Sequence, residues 1–326
     1  MTGRTAFLGA YGYGNLGDEL CLIEAMQAFP PAEAHAFSVD GAWTRRCVPE
    51  LAGTFREGPE MLALRPDRIV FGGGMFGVSD AFAAWMPWMA EAAEQGVALH
   101  VHNIGVARIK SDLAWFDARA AATVARLASF TVRDYVSFEM IAEAGLGRMP
   151  RITHFPERLV TPDFALADEL LPRGRKLLGV SILSLPAMEE VTERDAPLLD
   201  ALLAEFEGHD VVPVVSTLHQ SAEDENDVEG AARFIRRFLP RARIAAPELL
   251  DAAFWRARLT PRNLKGLIAR CDALVTQRKH NAVHAIGAGV RVIGLHPVVD
   301  DSLRRTFVAL SEVLPPGSRC IGIGEV

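Results

Sequence analysis

A glycine-rich turn near the start of the chain has the residue types and spacing of a phosphate-binding loop. Gly12, Gly14 and Gly17 fit the pattern G-x-G-x-x-G after a predicted strand, and Asp40 lies 23 residues beyond Gly17. In dinucleotide-binding proteins such glycines let the backbone approach a pyrophosphate at the positive end of a helix, and the acid binds the ribose. The turn alone therefore keeps a nucleotide cofactor as one alternative.

Other residues of the same turn argue against a dinucleotide. Asp18 and Glu19 fall in the first turn of the predicted helix, where they suit the helix dipole but would repel a diphosphate. Tyr13 and Asn15 add side chains where a dinucleotide requires bare backbone. The glycines also fit a tight turn that binds nothing. The sequence therefore demands no organic cofactor.

A second glycine turn, Gly72-Gly73-Gly74, follows another predicted strand. Glycines here permit either close approach of a ligand to the backbone or a loop packed tightly against its own domain. Two such turns in one domain favour a ligand-binding cleft.

No metal site is expected. His280 and His284 are four residues apart, but there is no H-E-x-x-H motif and no obvious third ligand. The four cysteines form no C-x-x-C pair, which disfavours both a zinc ribbon and a disulfide framework; they are Cys21, Cys47, Cys271 and Cys320. We expect reduced, mostly buried thiols and a cytoplasmic protein.

The composition is that of an acidic globular protein. The 326 residues include 34 Lys and Arg against 41 Asp and Glu, for a net charge of −7, which argues against a dedicated nucleic-acid or anionic-membrane binder, so that any bound anion requires a local basic cluster. No apolar run approaches the ~18 residues of a membrane span. Peripheral attachment to a membrane stays open, although no basic amphipathic helix is evident in the sequence. The oligomeric state is equally open.

Short apolar runs alternate with amphipathic ones, which is the rhythm of parallel sheets covered by helices. The predicted strands are 5–9, 34–39, 68–71, 98–104, 129–132, 177–183, 211–216, 273–276 and 291–295. The clearest predicted helices are 18–29, 135–144, 196–207 and 227–238. A proline-rich stretch after Gly145 separates two tandem Rossmann-like domains, 1–165 and 166–326, with the site expected in the cleft between them.

Four motifs in order give the chain a family resemblance. They are G-x-x-G-x-x-N-x-G-D-E over residues 9–19, the G-G-G turn after the third predicted strand, Val132-Arg133-Asp134-Tyr135-Val136-Ser137, and Thr276-Gln277-Arg278-Lys279-His280 before a helix of small residues. Together they resemble the polysaccharide pyruvyl transferase family over nearly the whole chain.

The resemblance implies a GT-B-like fold and transfer of the pyruvyl skeleton of phosphoenolpyruvate to a sugar diol, forming a ketal during cell-surface polysaccharide synthesis. Arginine forks suit the donor's phosphate and carboxylate. The expected donor-binding residues are Arg133, Arg278, Lys279, Gly73 and Gly74. Lys279 and Asn281 depart from the family pattern, which usually has an apolar and a small residue there.

In this interpretation His280 is the acid, because an imidazole titrates near neutral pH. Asp18 is the second catalytic candidate, as a base towards the acceptor hydroxyl. The expected acceptor-binding residues are Asn15, His219 and Asp224. The partners would be phosphoenolpyruvate and a glycan or lipid-linked sugar. Two alternatives stay open: a GT-B glycosyltransferase that uses a nucleotide sugar, and an inactive binding partner in a glycan operon.

Overall fold

The computed structural model describes residues 3–73, 75–76, 80–106, 118–183, 192–219, 226–297 and 301–323. The chain groups into two compact units. Unit 1 contains residues 1–13 and 18–157, and unit 2 contains residues 14–17 and 158–326. The sequence puts the division later, at residue 165. Gly74 and Asp224 lie outside the described residues.

Unit 1 is built on a parallel sheet with strand order β3-β2-β1-β4-β6-β7-β8, and β5 pairs with β6. The strands are β1 (Arg4–Leu8), β2 (Glu33–Phe37), β3 (Gly53–Phe55), β4 (Arg68–Gly72), β5 (Met75–Phe76), β6 (Ala98–Val106), β7 (Ser129–Val132) and β8 (Arg151–Ile152). The helices are α1 (Leu16–Ala28), α2 (Gly41–Cys47), α3 (Gly58–Ala63), α4 (Asp80–Glu94), α5 (Ala118–Ala125) and α6 (Tyr135–Ala144). Its core is rich in aromatic and β-branched side chains from these strands and from α4.

Unit 2 is built on a second parallel sheet with strand order β10-β9-β11-β12-β13. The strands are β9 (Leu177–Ser181), β10 (Asp210–Pro213), β11 (Ala273–Thr276), β12 (Arg291–Pro297) and β13 (Arg319–Ile323). The helices are α7 (Ala165–Leu170), α8 (Ala196–Leu203), α9 (Asp227–Phe238), α10 (Ala252–Arg258), α11 (Pro261–Ala269), α12 (Lys279–Gly287) and α13 (Ser302–Ala309). Strands β9 and β11 are fully buried, as central parallel strands must be.

The predicted fold class is confirmed: both sheets are parallel and covered by helices. Two details differ from the sequence interpretation. The glycine turn follows the fourth strand, because β3 has only three residues and was not recognised. The strand predicted over 211–216 ends at Pro213, because the chain beyond it pairs with residues 14–17: the Leu16 amide donates to the Ser216 carbonyl at 2.9 Å.

Among the described residues, no helix is both long enough and apolar enough to cross a membrane.

All four cysteines are free thiols, three of them buried. Burial raises the pKa of Cys271 and of Cys320 to about 12, and raises those of Cys21 and Cys47 as well. Since the thiolate is the reactive form, we expect a disulfide reagent at pH ~8 to label the folded protein slowly and all four thiols at once after unfolding in denaturant. Cys320, the least buried, should react first; rapid labelling of Cys271 in folded protein would contradict this expectation.

Candidate active site

Residues 14–17 form part of the candidate site in unit 2. Asn15 and Thr217 form an antiparallel bridge, and the Leu218 amide donates to the Gly14 carbonyl at 2.9 Å. Gly14 has φ +87°, and a Cβ there would overlap the Leu218 carbonyl oxygen. The Asn15 side chain accepts from the Gly17 amide at 3.0 Å, which fixes the turn. The segment Gly14-Asn15-Leu16-Gly17 therefore forms a short backbone ladder along residues 216–218.

Gly17 packs directly against the imidazole of His280. A Cβ added at Gly17 would lie 2.7 Å from Cβ of His280 and nearer still to Cγ and Nδ1. His280 is the second residue of α12, directly after β11, so the carboxyl end of a central strand places it beside this loop. The absent side chain at position 17 thus provides the space in which the imidazole lies.

Asp227 anchors two further parts of the site. It is fully buried at the start of α9, and its Oδ2 accepts from the Ser216 amide at 3.3 Å, the Ser216 hydroxyl at 3.1 Å and the Thr217 amide at 3.1 Å. Its Oδ1 accepts from Nη2 of Arg278 at 2.6 Å and from Nε at 3.0 Å. Two adjacent N–H groups on a carboxylate fix the plane of the guanidinium. Asp227 therefore orients Arg278 and holds the loop that bears His219.

The first turn of α12 is bordered by buried polar groups. Asn281 donates to the Ser181 hydroxyl at 2.7 Å, and Gln277 accepts from the Leu183 amide at 3.0 Å. Oδ1 of Asn281 and Oγ1 of Thr217 are buried and have no hydrogen-bond partner among the described residues. Unsatisfied buried polar atoms are rare in proteins and call for an explanation such as a bound ligand or water. Both atoms belong to the same unit as Arg278 and His280, which makes this region a candidate ligand site.

His284, four residues after His280, is fully buried, and burial lowers its pKa well below the usual value. Lys265 adds to that shift. His284 is packed inside unit 2, which disfavours a metal pair with His280.

In unit 1, the glycine turn after β1 is held by a buried acid. The Gly12 amide donates to Glu19 at 2.7 Å, and the Thr44 hydroxyl donates to the same oxygen. Asp40, the acid at dinucleotide spacing, instead caps α2 by accepting from the Trp43 amide at 3.0 Å. Gly12 and Asp40, the first and last residues of the dinucleotide fingerprint, thus both form hydrogen bonds within unit 1.

The other glycine turn is packed against Tyr11. Gly73 has φ +68°, and a Cβ there would lie 2.7 Å from the Tyr11 ring, whose hydroxyl donates to the Gly72 carbonyl at 2.7 Å. The positive φ and the close contact with Tyr11 thus already favour glycine at position 73, independently of any ligand.

Glu19 yields a pH-dependent prediction. Burial raises its pKa from 4.5 to about 8, although Gly12 and Thr44 oppose the shift by hydrogen bonding. Because the carboxyl stays protonated in the folded protein but ionises when unfolded, stability is full below pH ~4.5 and falls as the pH rises towards 8. Glu19→Gln should remove this loss, on the order of 4 kcal/mol at pH ~8. Denaturant unfolding of both proteins between pH ~5 and ~8 tests it, and parallel pH profiles would contradict it.

Arg133 lies in unit 1 at the end of β7 and is 3% exposed, with its guanidinium 5.9 Å from the centre of the Phe155 ring. A Cβ at Gly105 would touch that guanidinium, so glycine makes room for it. Its neighbour Asp134 is buried as well and caps α6 by accepting from the Ser137 amide at 2.7 Å.

A buried polar cluster of unit 1 was missed by sequence reasoning. His102 contacts both carboxylate oxygens of Glu24, at 2.8 and 3.0 Å, and Asn103 donates to Glu157 at 2.6 Å. Asn103 has φ +50° beside a register shift in β6. Burial raises the pKa of Glu157, against the charge of Arg133. Neither glutamate carried a sequence signal, because their partners are 78 and 54 residues away.

The predicted site residues thus divide between the units. Unit 2 holds the larger set, which is Asn15, His219, Arg278, Lys279 and His280. Unit 1 holds Asp18, in the first turn of α1, together with Gly73 and Arg133. Within unit 2 the structure brings Asn15 to the 216–218 loop, and His280 to Gly17.

Solved structures similar to this chain share its fold. S. aureus MnaA, in a co-structure with UDP, has a TM-score of 0.59 at 10% identity, covering 98% of this chain and 93% of that one. Anabaena HepE in complex with UDP-glucose has a TM-score of 0.55 at 16% identity, covering 90% of this chain and 80% of that one. UDP-GlcNAc 2-epimerase from Methanocaldococcus jannaschii has a TM-score of 0.55 at 10% identity, covering 98% of this chain and 89% of that one. At such identities the likeness establishes two Rossmann-like domains of GT-B type.

A search of curated proteins found no match. The model of one protein family, described as polysaccharide pyruvyl transferase, matches residues 15–296 and therefore includes the Asn15 loop, Arg133 and the Arg278–His280 segment. This match confirms the resemblance found in the four motifs: the chain belongs to the polysaccharide pyruvyl transferase family, a family of transferases.

Proposed function

We propose that this protein transfers the pyruvyl group of phosphoenolpyruvate to a sugar diol as a ketal, in the cytoplasmic synthesis of cell-surface polysaccharide. The observation that carries the proposal is the fixed orientation of Arg278 on buried Asp227, two residues before His280. A bidentate arginine suits a substrate that carries both a phosphate and a carboxylate. Asp227 accepts from Nε and Nη2, and in this proposal the donor contacts the Nη1 side of the guanidinium.

The chemistry requires one acid and one base. His280 donates a proton to the methylene carbon of the enol, which makes C2 electrophilic, and one acceptor hydroxyl attacks C2 and gives up its proton. The bond from C2 to the phosphate oxygen then breaks, and hydrogen phosphate leaves. The second hydroxyl closes the ketal. Of the two protons that the diol loses, one balances the new methyl group and the other leaves with phosphate.

The remaining candidates take supporting roles in this proposal. Lys279 and Arg133 supply further positive charge for the donor, with backbone at Gly73 and Gly74. Asp18 acts as base towards the acceptor. Asn15, His219 and Asp224 bind the acceptor, a glycan or lipid-linked sugar.

The test is thermal unfolding with phosphoenolpyruvate, UDP-glucose or NAD as separate additions. A ligand at about 100 times its Kd stabilises a protein by about 2.7 kcal/mol if it binds only the folded state. We expect a shift with phosphoenolpyruvate, lost in Arg278→Ala and kept in Arg258→Ala, which removes an exposed pair with Glu169 in the same unit. A shift with UDP-glucose alone would overturn the proposal in favour of glycosyl transfer, and no shift would favour a binding partner.

His280→Gln separates binding from catalysis. The amide keeps a polar side chain of similar length but cannot donate a proton to carbon, so acceptor-dependent phosphate release should fall by about 10² to 10⁴. Donor-induced stabilisation should stay close to that of the unmodified protein. A variant that releases phosphate at the normal rate would rule out His280 as the acid.

A further inference from the structure

Unit 2 has a cavity at the edge of its sheet that lies opposite the candidate site. Its volume is about 570 Å³, and it lies at the amino ends of β9 and β10, whereas Arg278 and Ser216 follow the carboxyl ends of strands. Helix α9 begins at Asp227 in the site and ends at Phe238 in the cavity wall. Its 12 residues separate the two regions by about 18 Å.

Exposed cations line this cavity or lie within two residues of its wall in the sequence. We call them the amino-edge patch: Arg175, Arg241 and Arg243 line the cavity, and Arg173, Lys176 and Arg236 are one or two residues from lining residues. Among the described residues, only Arg175 and Arg243 contact a carboxylate, and both contact the same one: Arg175 donates to buried Asp210 at 2.7 Å, and Arg243 lies 3.9 Å from it. Asp200 and Glu207 are the other acids of the cavity wall. The patch therefore keeps more positive charge than negative, in a chain whose net charge is −7.

The dipole of α9 explains the position of only one of these cations. Arg236 lies in the last turn of α9, where positive charge suits the helix dipole. The others lie in loops: Arg173, Arg175 and Lys176 precede β9, and Arg241 and Arg243 follow α9. Clustered like charges without counter-charges raise the energy of the folded state. An anionic partner would remove that cost.

The cavity wall behind the cations is apolar. It is formed by buried Leu203, Phe206 and Phe238 and by half-buried Leu239, and exposed Pro240 stands between Leu239 and Arg241. The apolar face of α9 is itself buried in the core of unit 2, so the last turn of the helix exposes arginines at this edge. Clusters of Lys and Arg at a protein surface attract the phosphates of anionic lipid headgroups.

We propose that the amino-edge patch docks this protein on an anionic lipid bilayer, with a phospholipid headgroup in the cavity and its phosphate on Arg241 and Arg243. This interaction does not depend on the identity of the donor. The bilayer is favoured over nucleic acid because the aromatic side chains of the cavity wall, Phe206 and Phe238, are buried and offer the bases no exposed platform for stacking. Docking here leaves the carboxyl edge of the sheet, with Arg278, turned away from the bound surface.

The test is co-sedimentation of the full chain with vesicles of phosphatidylcholine alone or with about 30% phosphatidylglycerol, at about 0.1 M and about 0.5 M salt. We expect binding only to the anionic vesicles, weakened by salt. The triple variant Arg236→Gln, Arg241→Gln, Arg243→Gln should bind about a hundredfold more weakly, because each cation near such a surface contributes about fivefold.

A matched variant controls for total charge. Arg256→Gln, Arg258→Gln, Arg270→Gln removes three exposed arginines of the same unit outside the patch. It should bind like the unmodified protein, and thermal unfolding verifies that both variants fold. The proposal would be overturned if the two triple variants were weakened equally or if the protein bound neutral vesicles. It would also be overturned if a short single-stranded oligonucleotide bound more tightly than the vesicles. Binding of glycerol 3-phosphate as tight as that of vesicles would also overturn it, in favour of a soluble ligand.

Discussion

Gly17→Ala is expected to lower acceptor-dependent phosphate release about a hundredfold while leaving the fold intact. The new methyl group would overlap the imidazole of His280, and that ring must move because Gly17 lies in the first turn of α1 and cannot retreat. A displacement of about 1 Å at a catalytic group costs on the order of 10² in rate. Alanine is preferred over glycine inside a helix by about 1 kcal/mol, so loss of activity cannot be ascribed to a weaker helix.

The measurement is a double-mutant comparison. If Gly17→Ala acts through His280, it should reduce the rate in the unmodified protein and add nothing in His280→Gln. Gly208→Ala is the control, because a Cβ at Gly208 meets nothing within 4 Å and its positive φ costs stability alone. An additive effect in the His280→Gln background would show that Gly17 acts by another route. If Gly17→Ala released phosphate at the normal rate with an unchanged pH profile, the argument that the methyl group displaces His280 would be wrong.

Local signals in the sequence predicted the elements whose ends carry capping residues. Helix α6 was predicted with its observed ends because Asp134 caps its start and Gly145, at φ +62°, ends it. Helix α9 was predicted equally well, since Asn226 accepts from the Val228 and Glu229 amides. Helix α11 was missed although Thr260 and Asn263 form a capping box, because its apolar positions are few. Short strands such as β3 have too few residues to show a period.

The site was only partly predictable, because its supporting contacts are distant in sequence. Glycine, arginine and histidine motifs pointed to the loops that hold Gly17, Arg278 and His280. Asp227 was predicted only as the first residue of a helix, since its partner Arg278 is 51 residues away. Pairing of residues 14–17 with 216–218 has no sequence signal either, because a backbone ladder of this length needs no side-chain pattern. Local physics therefore indicates which residues could act, and only the fold shows what holds them.

Asp227 should accordingly affect both stability and turnover. Asp227→Asn keeps the size of the side chain but removes the charge that faces Arg278, whose side chain is 17% exposed. Removing one member of a buried ion pair costs about 3–5 kcal/mol, which would lower the Tm of unit 2 by roughly 10 °C. Phosphate release should fall at least about a hundredfold even at temperatures where the variant is folded, because the guanidinium and the 216–217 loop lose a shared anchor.

Asp210→Asn is the matched control for this prediction, since Asp210 is another buried aspartate of unit 2 paired with an arginine, at the opposite edge of the sheet. Its loss should lower stability, by less than in Asp227→Asn because Arg175 is half exposed and can turn to water. Phosphate release should stay normal. Measuring Tm and turnover for both variants distinguishes the roles: if Asp210→Asn lost turnover in proportion to stability, or Asp227→Asn kept it, Asp227 would be a structural residue only. A loss confined to Asp227→Asn requires that the carboxylate position Arg278 and the 216–217 loop for the reaction, because stability alone then fails to explain the rate.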